Sequence, residues 1–267
     1  MPLPTPTEHR PEFSLSVSRA LQILSRFSHE QPELGLSEIS RSLSLSKASV
    51  SRFLQALEMH GFVDQNPDSR RYRPGPETAR IGSLYLAGGL LKQVALPVMK
   101  ALVGRLGFTS YLSTFKDDRM LILVSVEGTG PIKYSIPVGT ALPAHSTATG
   151  KAALALMDEK DAKAVLKRAG LAAHTKHTIT QAGELSRQLA EIRKRGYSLN
   201  WEEYTPGVAS VAAPVVNAKG RPLCVLSLGF ATSQVRQDQM NALGRQVKAA
   251  AEDLATRLEK EGVRDAG

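Results

Sequence analysis

The chain of 267 residues has one cysteine, Cys224, and that scarcity removes two architectures at once. A disulfide framework needs paired cysteines, and a thiolate zinc cluster needs several. Cys224 sits in the apolar run Leu223-Cys224-Val225-Leu226 and reads as a small buried hydrophobe. No apolar stretch approaches the roughly 20 residues that span a bilayer, so no membrane partner is expected. The opening MPLPTPTEHRPEF lacks the apolar region of a signal peptide. It reads as a flexible, proline-spaced arm over residues 1–13, and the expected compartment is the cytoplasm.

Catalytic constellations are also missing. Gly150-Lys151 resembles the end of a phosphate-binding P-loop, but His145 stands where that motif needs glycine and Ala152 where it needs Ser or Thr. There is no G-x-S-x-G nucleophile elbow. The adjacent carboxylates Glu202 and Glu203 need not converge on one site. His174 and His177 have a spacing that could chelate a metal on a helix. Their segment, AAHTKHT, is poorly amphipathic and has no nearby acidic residue or cysteine, which favours a structural or surface role. No catalytic residue, metal ligand or cofactor is expected.

What the chain does have is a hydrophobic share of 42%, enough for ordinary cores, and a length comfortable for two domains. The net charge of +9 suggests an acidic partner, yet residues 1–75 carry only 9 Lys/Arg against 8 Asp/Glu. Local arrangement, not bulk charge, has to identify a DNA-binding part.

Residues 14–75 supply that arrangement. Val17, Ala20, Leu21, Leu24 and Phe27 recur at helical spacing, giving a first helix with an apolar stripe. After the breaks at Pro32 and Gly35, Leu36, Ile39 and Leu43 mark a short second helix, with Ser37, Glu38, Ser40 and Arg41 toward water. Ser44-Leu45-Ser46 is a tight connection, and Ser46 is a suitable N-cap for a third helix. That helix buries Val50, Phe53, Leu54 and Leu57 and stops at Gly61. Its first turns expose Lys47, Ala48, Ser49, Ser51, Arg52 and Gln55. Small residues let a helix settle into the major groove, hydroxyls and amides read base edges, and arginine bonds guanine or phosphate. Phe62–Arg73 reads as a hairpin with Arg70 and Arg71 at its tip, suited to phosphates or a minor groove. A generic three-helix bundle with a hairpin is the plainer reading. The short second helix, the tight turn, the polar face and the charged tip, in this order, favour a winged helix-turn-helix.

A break at Pro74-Gly75-Pro76 and the stretch Glu77–Leu86 predict a linker helix, assigned to residues 76–91. Residues 92–267 then form a second domain. Val94, Ala95, Val98, Met99, Leu102, Val103 and Leu106 predict a helix, with Pro97 near its start and Gly107 at its end. Three strands are expected at Thr109–Phe115, Met120–Glu127 and Ile132–Ile136. A loop over Gly139–Thr149 leads to a helix opening at Gly150-Lys151. Helices at 158–169 and 183–195, strands at Val208–Val216 and Leu223–Phe230, and a long helix over 234–261 complete the order. An antiparallel sheet flanked by helices, hence an α+β fold, is the simplest architecture. The loop rich in Ser146, Thr147, Thr149 and Gly150 offers hydroxyls and helix N-terminal N–H groups to an anion, unless these simply cap the helix.

Several segments together resemble the IclR-type bacterial transcriptional regulators. SVSRALQILSRF, LGLSEISRSLSLSKASVSRFLQALEMHGFV and DQNPDSRRYRPG are similar to that family's winged helix-turn-helix. LPAHSTATGKAALA, RGYSLNWEEYTPGVASVAAPV and LCVLSLGF are similar to motifs of its second domain, so the resemblance runs from about Ser14 to Arg257. It implies a GAF-like effector-binding and oligomerisation domain, a double-stranded DNA operator, a homodimer or homotetramer, and a small carboxylic, often aromatic, effector. It also implies an effector site at His145, Ser146, Thr147, Thr149, Gly150, Asn200, Trp201, Ser210, Ser227 and Gly229, where Trp201 either stacks on a ring or fills core space. Many relatives carry an acidic residue in place of Asn200 and a cysteine in place of Ser210; an amide there removes repulsion toward an anion. The expected function is a ligand-responsive regulator, repressor or activator. A constitutive DNA-binding protein with a structural second domain, or an enzyme with a DNA-binding appendage, are the alternatives.

Overall fold

The computed structural model describes residues 14–262, and the chain divides into two units between Ala87 and Gly88. The expected arm over residues 1–13 lies outside the described residues. Among the described residues no single helix is long and apolar enough to cross a membrane.

The first unit contains α1 (Leu15–Leu24), α2 (Leu36–Leu43), α3 (Lys47–Met59), the strands β1 (Val63–Gln65) and β2 (Tyr72–Pro74), and α4 (Pro76–Gly88). One cluster holds its three N-terminal helices and hairpin together: Ile23, Leu34, Ile39, Val50, Leu54, Val63 and Tyr72 are buried. The stripe expected on α1 is rotated. Ile23 is fully buried, with Leu24 and Phe27 packed beside it, whereas Val17 and Leu21 are exposed. Ile23 lies two residues beyond Leu21, about 200° round the helix, so both cannot face one core. Ser44, in the left-handed region at φ 53°, turns the chain between α2 and α3. Ser46 caps α3 by accepting from the Ser49 N–H at 3.2 Å. Leu34 exchanges two 2.8 Å backbone hydrogen bonds with Tyr72, which ties the hairpin to the segment before α2.

In the second unit, α5 (Leu90–Leu106) leads into a six-stranded sheet. Its strands are β3 (Thr109–Lys116), β4 (Arg119–Val126), β5 (Ala141–Pro143), β6 (Ser198–Trp201), β7 (Val208–Val216) and β8 (Pro222–Ala231). They lie in the order β5-β4-β3-β8-β7-β6, every pair antiparallel. Strand alternation separates two faces. Leu112, Ala209, Val211, Ala213, Val215, Leu226, Leu228 and Phe230 pack with α5 and the final helix α9 (Met240–Lys260). Tyr111, Met120, Ile122, Ala212 and Val225 pack on α6 (Ala148–Leu156). Behind α6, the helices α7 (Glu159–Ala169) and α8 (Ala182–Arg195) close a third cluster with Leu154, Leu166, Leu185 and Leu189. Cys224 is buried in β8, and that burial pushes its thiol pKa up.

Several local expectations are corrected. Helix α5 begins at Leu90, which puts Pro97 in its interior; the residue is exposed there, so the helical bond it cannot donate faces solvent. Ile132–Ile136 is not a strand. The Tyr111 phenol donates to the Tyr134 carbonyl at 2.5 Å and accepts from the Ile136 N–H at 3.1 Å, and β5 occupies the edge of β4 instead. Strand β5 lies inside the stretch read as loop, and α6 opens at Ala148, not Gly150, because Thr147 is its cap. Strand β6, too short to show a period, had no counterpart in the sequence reading. Helix α9 starts at Met240, after 3₁₀ turns at Thr232–Gln234 and Gln237–Gln239.

Candidate functional site

In the first unit, α3 presents Lys47, Ala48, Arg52 and Gln55 to solvent, with Ser49 and Ser51 half-buried beside them. Val50 and Leu54, both fully buried, fix the opposite face and thereby the direction of this one. Ser49 is partly committed, since its hydroxyl accepts from Ser46 Oγ at 2.9 Å. In the wing, the Asn66 side-chain oxygen accepts from the Asp68 and Ser69 N–H groups, building the turn.

The two wing arginines differ. Arg70 is exposed at φ 57°, with its carbonyl held by Gln65 Nε2 at 3.0 Å. Arg71 turns back onto α2: its guanidinium donates to Glu38 Oε2 at 2.8 Å and to the Glu33 carbonyl at 2.9 Å. Glu38, read from sequence as a solvated position, also accepts from the Gly35 N–H at 2.7 Å. That backbone bond, then the Arg71 guanidinium, holds its carboxyl below the usual range. Arg71 thus anchors the wing to α2.

In the second unit, a cavity lies between the α6-facing side of the sheet and the loops above it. Strands supply Tyr111, Ile122, Leu142, Asn200, Val208, Ser210, Ser227, Leu228 and Gly229; the α6 cap supplies Thr147 and Thr149; loops supply Tyr134, Ile136, Tyr204 and Thr205. None of these lining residues carries a charge. The cavity volume is about 40 Å³. A dry cavity of roughly 150 Å³ admits benzene, so this one holds water-sized occupants until its walls move.

The sequence-derived site residues divide accordingly. Thr147, Thr149, Asn200, Ser210, Ser227 and Gly229 line the cavity together. Trp201 does not: it packs with the α5/α9 cluster, because neighbouring residues on β6 point to opposite faces. His145 is buried outside the lining; its Nε2 donates to the Ala172 carbonyl at 2.9 Å, and its ring stacks on His174, which meets Tyr204 edge-on. His174 lies in a loop, not on a helix, and burial, then His145, lowers its pKa. Ser146 contributes a carbonyl that accepts from Asn200 Nδ2 at 2.6 Å. Gly150 acts through packing, since a Cβ there would stand 2.2 Å from the Ala144 carbonyl oxygen. Thr147 accepts from the Gly150 N–H at 3.1 Å and donates to the Pro143 carbonyl at 2.7 Å. Capping therefore occupies Thr147, while the N–H groups of Ala148 and Thr149 have no intrahelical acceptor.

Sequence reasoning missed the three tyrosines. Tyr111 and Ser113, alternating with apolar neighbours on a predicted strand, were the available signal. It also separated two residues that meet: Lys151, fully buried, donates to Glu203 and to Gln188 Oε1 at 3.0 Å. Burial lowers the Lys151 pKa and raises that of Glu203, and their mutual attraction opposes both shifts. Glu203 precedes Tyr204 and Thr205, so the pair fixes the loop that bounds the cavity. Among the described residues, no group of three or more His, Cys, Asp or Glu is arranged to hold a metal.

These two units match known proteins along most of their length. The IclR helix-turn-helix domain matches residues 16–67, and the bacterial transcriptional regulator IclR C-terminal domain matches residues 84–256. The HTH-type transcriptional regulator XynR of Escherichia coli is 33% identical over 91% of this chain and 96% of its own. A crystal structure of an IclR transcriptional regulator from Alicyclobacillus acidocaldarius is 30% identical, covers 91% of this chain and 98% of its own, and superposes with a TM-score of 0.77. An IclR homologue from Microbacterium hydrocarbonoxydans, solved with 4-hydroxybenzoate, shares the fold at 22% identity and a TM-score of 0.69, covering 90% of this chain and 99% of its own. The relatives are transcriptional regulators, not enzymes. With both domains matched in order, this chain belongs to the IclR family of bacterial transcriptional regulators, carrying a DNA-binding helix-turn-helix and a C-terminal effector domain.

Proposed function

We propose that this regulator binds a palindromic operator through α3 and the wing, in the cytoplasm, and senses a small organic acid in the cavity of its second unit. The observation that carries the ligand half is the lining itself. Hydroxyls, an amide and phenols surround a space with no carboxylate on its wall, and two unshared N–H groups stand at the start of α6. Such a wall suits an anion better than a cation. The tyrosines add flat apolar surface, which favours an aromatic acid, and the 4-hydroxybenzoate bound by the Microbacterium homologue is of that class.

In the DNA half, Lys47, Ala48, Ser49, Ser51, Arg52 and Gln55 face the major groove, and Arg70 meets the flanking backbone or minor groove. Arg71 assists by holding the wing. One winged module reads few base pairs, so specificity needs two copies on a two-fold site. The exposed apolar residues Ile81, Leu84 and Tyr85 of α4 offer part of a homodimer contact, from which a tetramer could also be built. The ligand changes operator affinity to the extent that it prefers one of two arrangements of the chain.

Calorimetry with a panel of mono- and dicarboxylates, aromatic and aliphatic, tests the ligand assignment. Saturable heat with an acid, absent with a sugar or an amine, is the expected outcome. Preference for a cation or neutral sugar overturns it.

A further inference from the structure

The stretch between Gly130 and Gly139 crosses the cavity without joining the sheet. Both ends are pinned by backbone bonds. Gly130 N–H donates to the Gly107 carbonyl at 3.2 Å, and Gly139 N–H to the Ile122 carbonyl at 2.9 Å. Between them, the Tyr134 carbonyl and the Ile136 N–H, groups a neighbouring strand would engage, both meet the hydroxyl of Tyr111. Gln234 Nε2 adds a bond to the Ile132 carbonyl at 3.1 Å. Tyr134 and Ile136 face the cavity, while Ile132, Lys133 and Ser135 are exposed.

We propose that residues 131–138 form a lid over the cavity and that the Tyr111 phenol is its latch. The inference rests on the cavity being the effector site. Three observations support it. The space below is about 40 Å³, too small for an aromatic acid unless a wall lifts. Between its pinned ends the segment is held by side-chain contacts, from Tyr111 and Gln234 and through the Tyr134 hydroxyl to Thr205, rather than by a ladder, so it can open while β3, β4 and β8 keep their pairing. Lastly, Gly229 on β8 makes room for the closed lid: a Cβ there would lie 3.0 Å from Tyr134 Cδ1 and 3.2 Å from Tyr111 Cε2. Burial pushes the Tyr111 pKa up, so its hydroxyl keeps the proton it donates.

Amide hydrogen exchange on the full chain reads the latch directly, with or without ligand. Tyr111→Phe should speed exchange across 131–138, Ile136 above all, by about tenfold, while β3 and β8 amides keep their rates. Gly229→Ala, which leaves the phenol intact but crowds Tyr134, should give the same localised acceleration. Unchanged exchange over 131–138 in Tyr111→Phe overturns the latch. So does acceleration spread equally through β3 and β8, which makes Tyr111 a core residue only. The second arm uses 4-hydroxybenzoate as probe on the wild-type chain. Saturation, judged by calorimetry, should slow exchange over 131–138; binding that leaves those amides unchanged overturns the lid. Absence of heat with this probe counts against the ligand class alone, and the ligand-free comparison then decides the latch.

Discussion

Arg71 of the wing holds Glu38 of α2 at 2.8 Å, although the two are 33 residues apart in sequence. The contact assigns different work to two adjacent arginines. Arg70→Ala should weaken binding to all duplexes alike and reduce the salt slope by about one phosphate contact. Arg71→Ala should instead lower the thermal midpoint, and Glu38→Gln should reproduce that loss. Fluorescence anisotropy across a salt series, paired with thermal melts, separates the two; equal salt-slope changes and unaltered melts contradict the assignment.

Acid should expose the same contact. Glu38 titrates below its ordinary value of 4.5 when folded, so its contribution is complete above that pH and is lost as pH falls through the folded value. In a stability–pH profile, Glu38→Gln should therefore flatten the acid limb and leave the slope near neutrality unchanged. A stability gap between wild type and variant that widens as pH falls below 4.5 would be the wrong sign.

On α3, Arg52→Ala should cost about 1–3 kcal/mol on the best operator and relax preference at one base pair, as expected for a bidentate base contact. Binding measured on operator variants checks this. A loss uniform over all variants would move Arg52 to the phosphate backbone.

The buried pair Lys151–Glu203 should be costly to break and cheap to remove whole. Lys151→Met leaves Glu203 buried without its cation and should destabilise the chain by about 3–5 kcal/mol. Adding Glu203→Leu should restore much of that loss. Chemical denaturation of the single and double variants decides it; a double variant worse than both singles would contradict the account.

Asn200→Asp places a carboxylate on the cavity wall and removes the amide that donates to Ser146. Affinity for a monocarboxylate should fall about tenfold or more, the equivalent of 1.4 kcal/mol. Asn200→Ser, which cannot span to Ser146 but adds no charge, should fall less. Equal affinities in calorimetry would remove Asn200 from the ligand contact.

Much of this was legible in the chain. The α2–α3 turn, the polar leading face of α3 and the hairpin followed from periodicity and capping, because local hydrogen bonds determine them. Strands β7 and β8 and helices α7 and α8 followed from the same signals. What escaped depended on distant partners. Ile132–Ile136 has strand composition, yet the Tyr134 carbonyl and the Ile136 N–H go to a phenol 23 and 25 residues earlier in the chain. Arg71 reads in the sequence as a second phosphate or minor-groove contact at the wing tip, but its guanidinium is held by Glu38, 33 residues away. Lys151 and Glu203 meet across 52 residues, a pairing no spacing encodes. Asn200, Ser210 and Ser227, named from the family motifs, line one cavity, whereas Trp201, named with them, is turned away by strand alternation.

On the proposed function, a ligand in the second unit changes how two copies of the first read DNA. The most direct test selects duplexes from a random pool with the full chain, then measures anisotropy on the best one, with and without the tightest-binding carboxylate. The account predicts an inverted repeat whose half-sites are about one helical turn apart. It also predicts an affinity change of roughly 5- to 150-fold on adding the acid, lost in a variant that no longer binds it. Selection of a single half-site bound at full affinity by a monomer, or an operator affinity indifferent to a saturating acid, would contradict it.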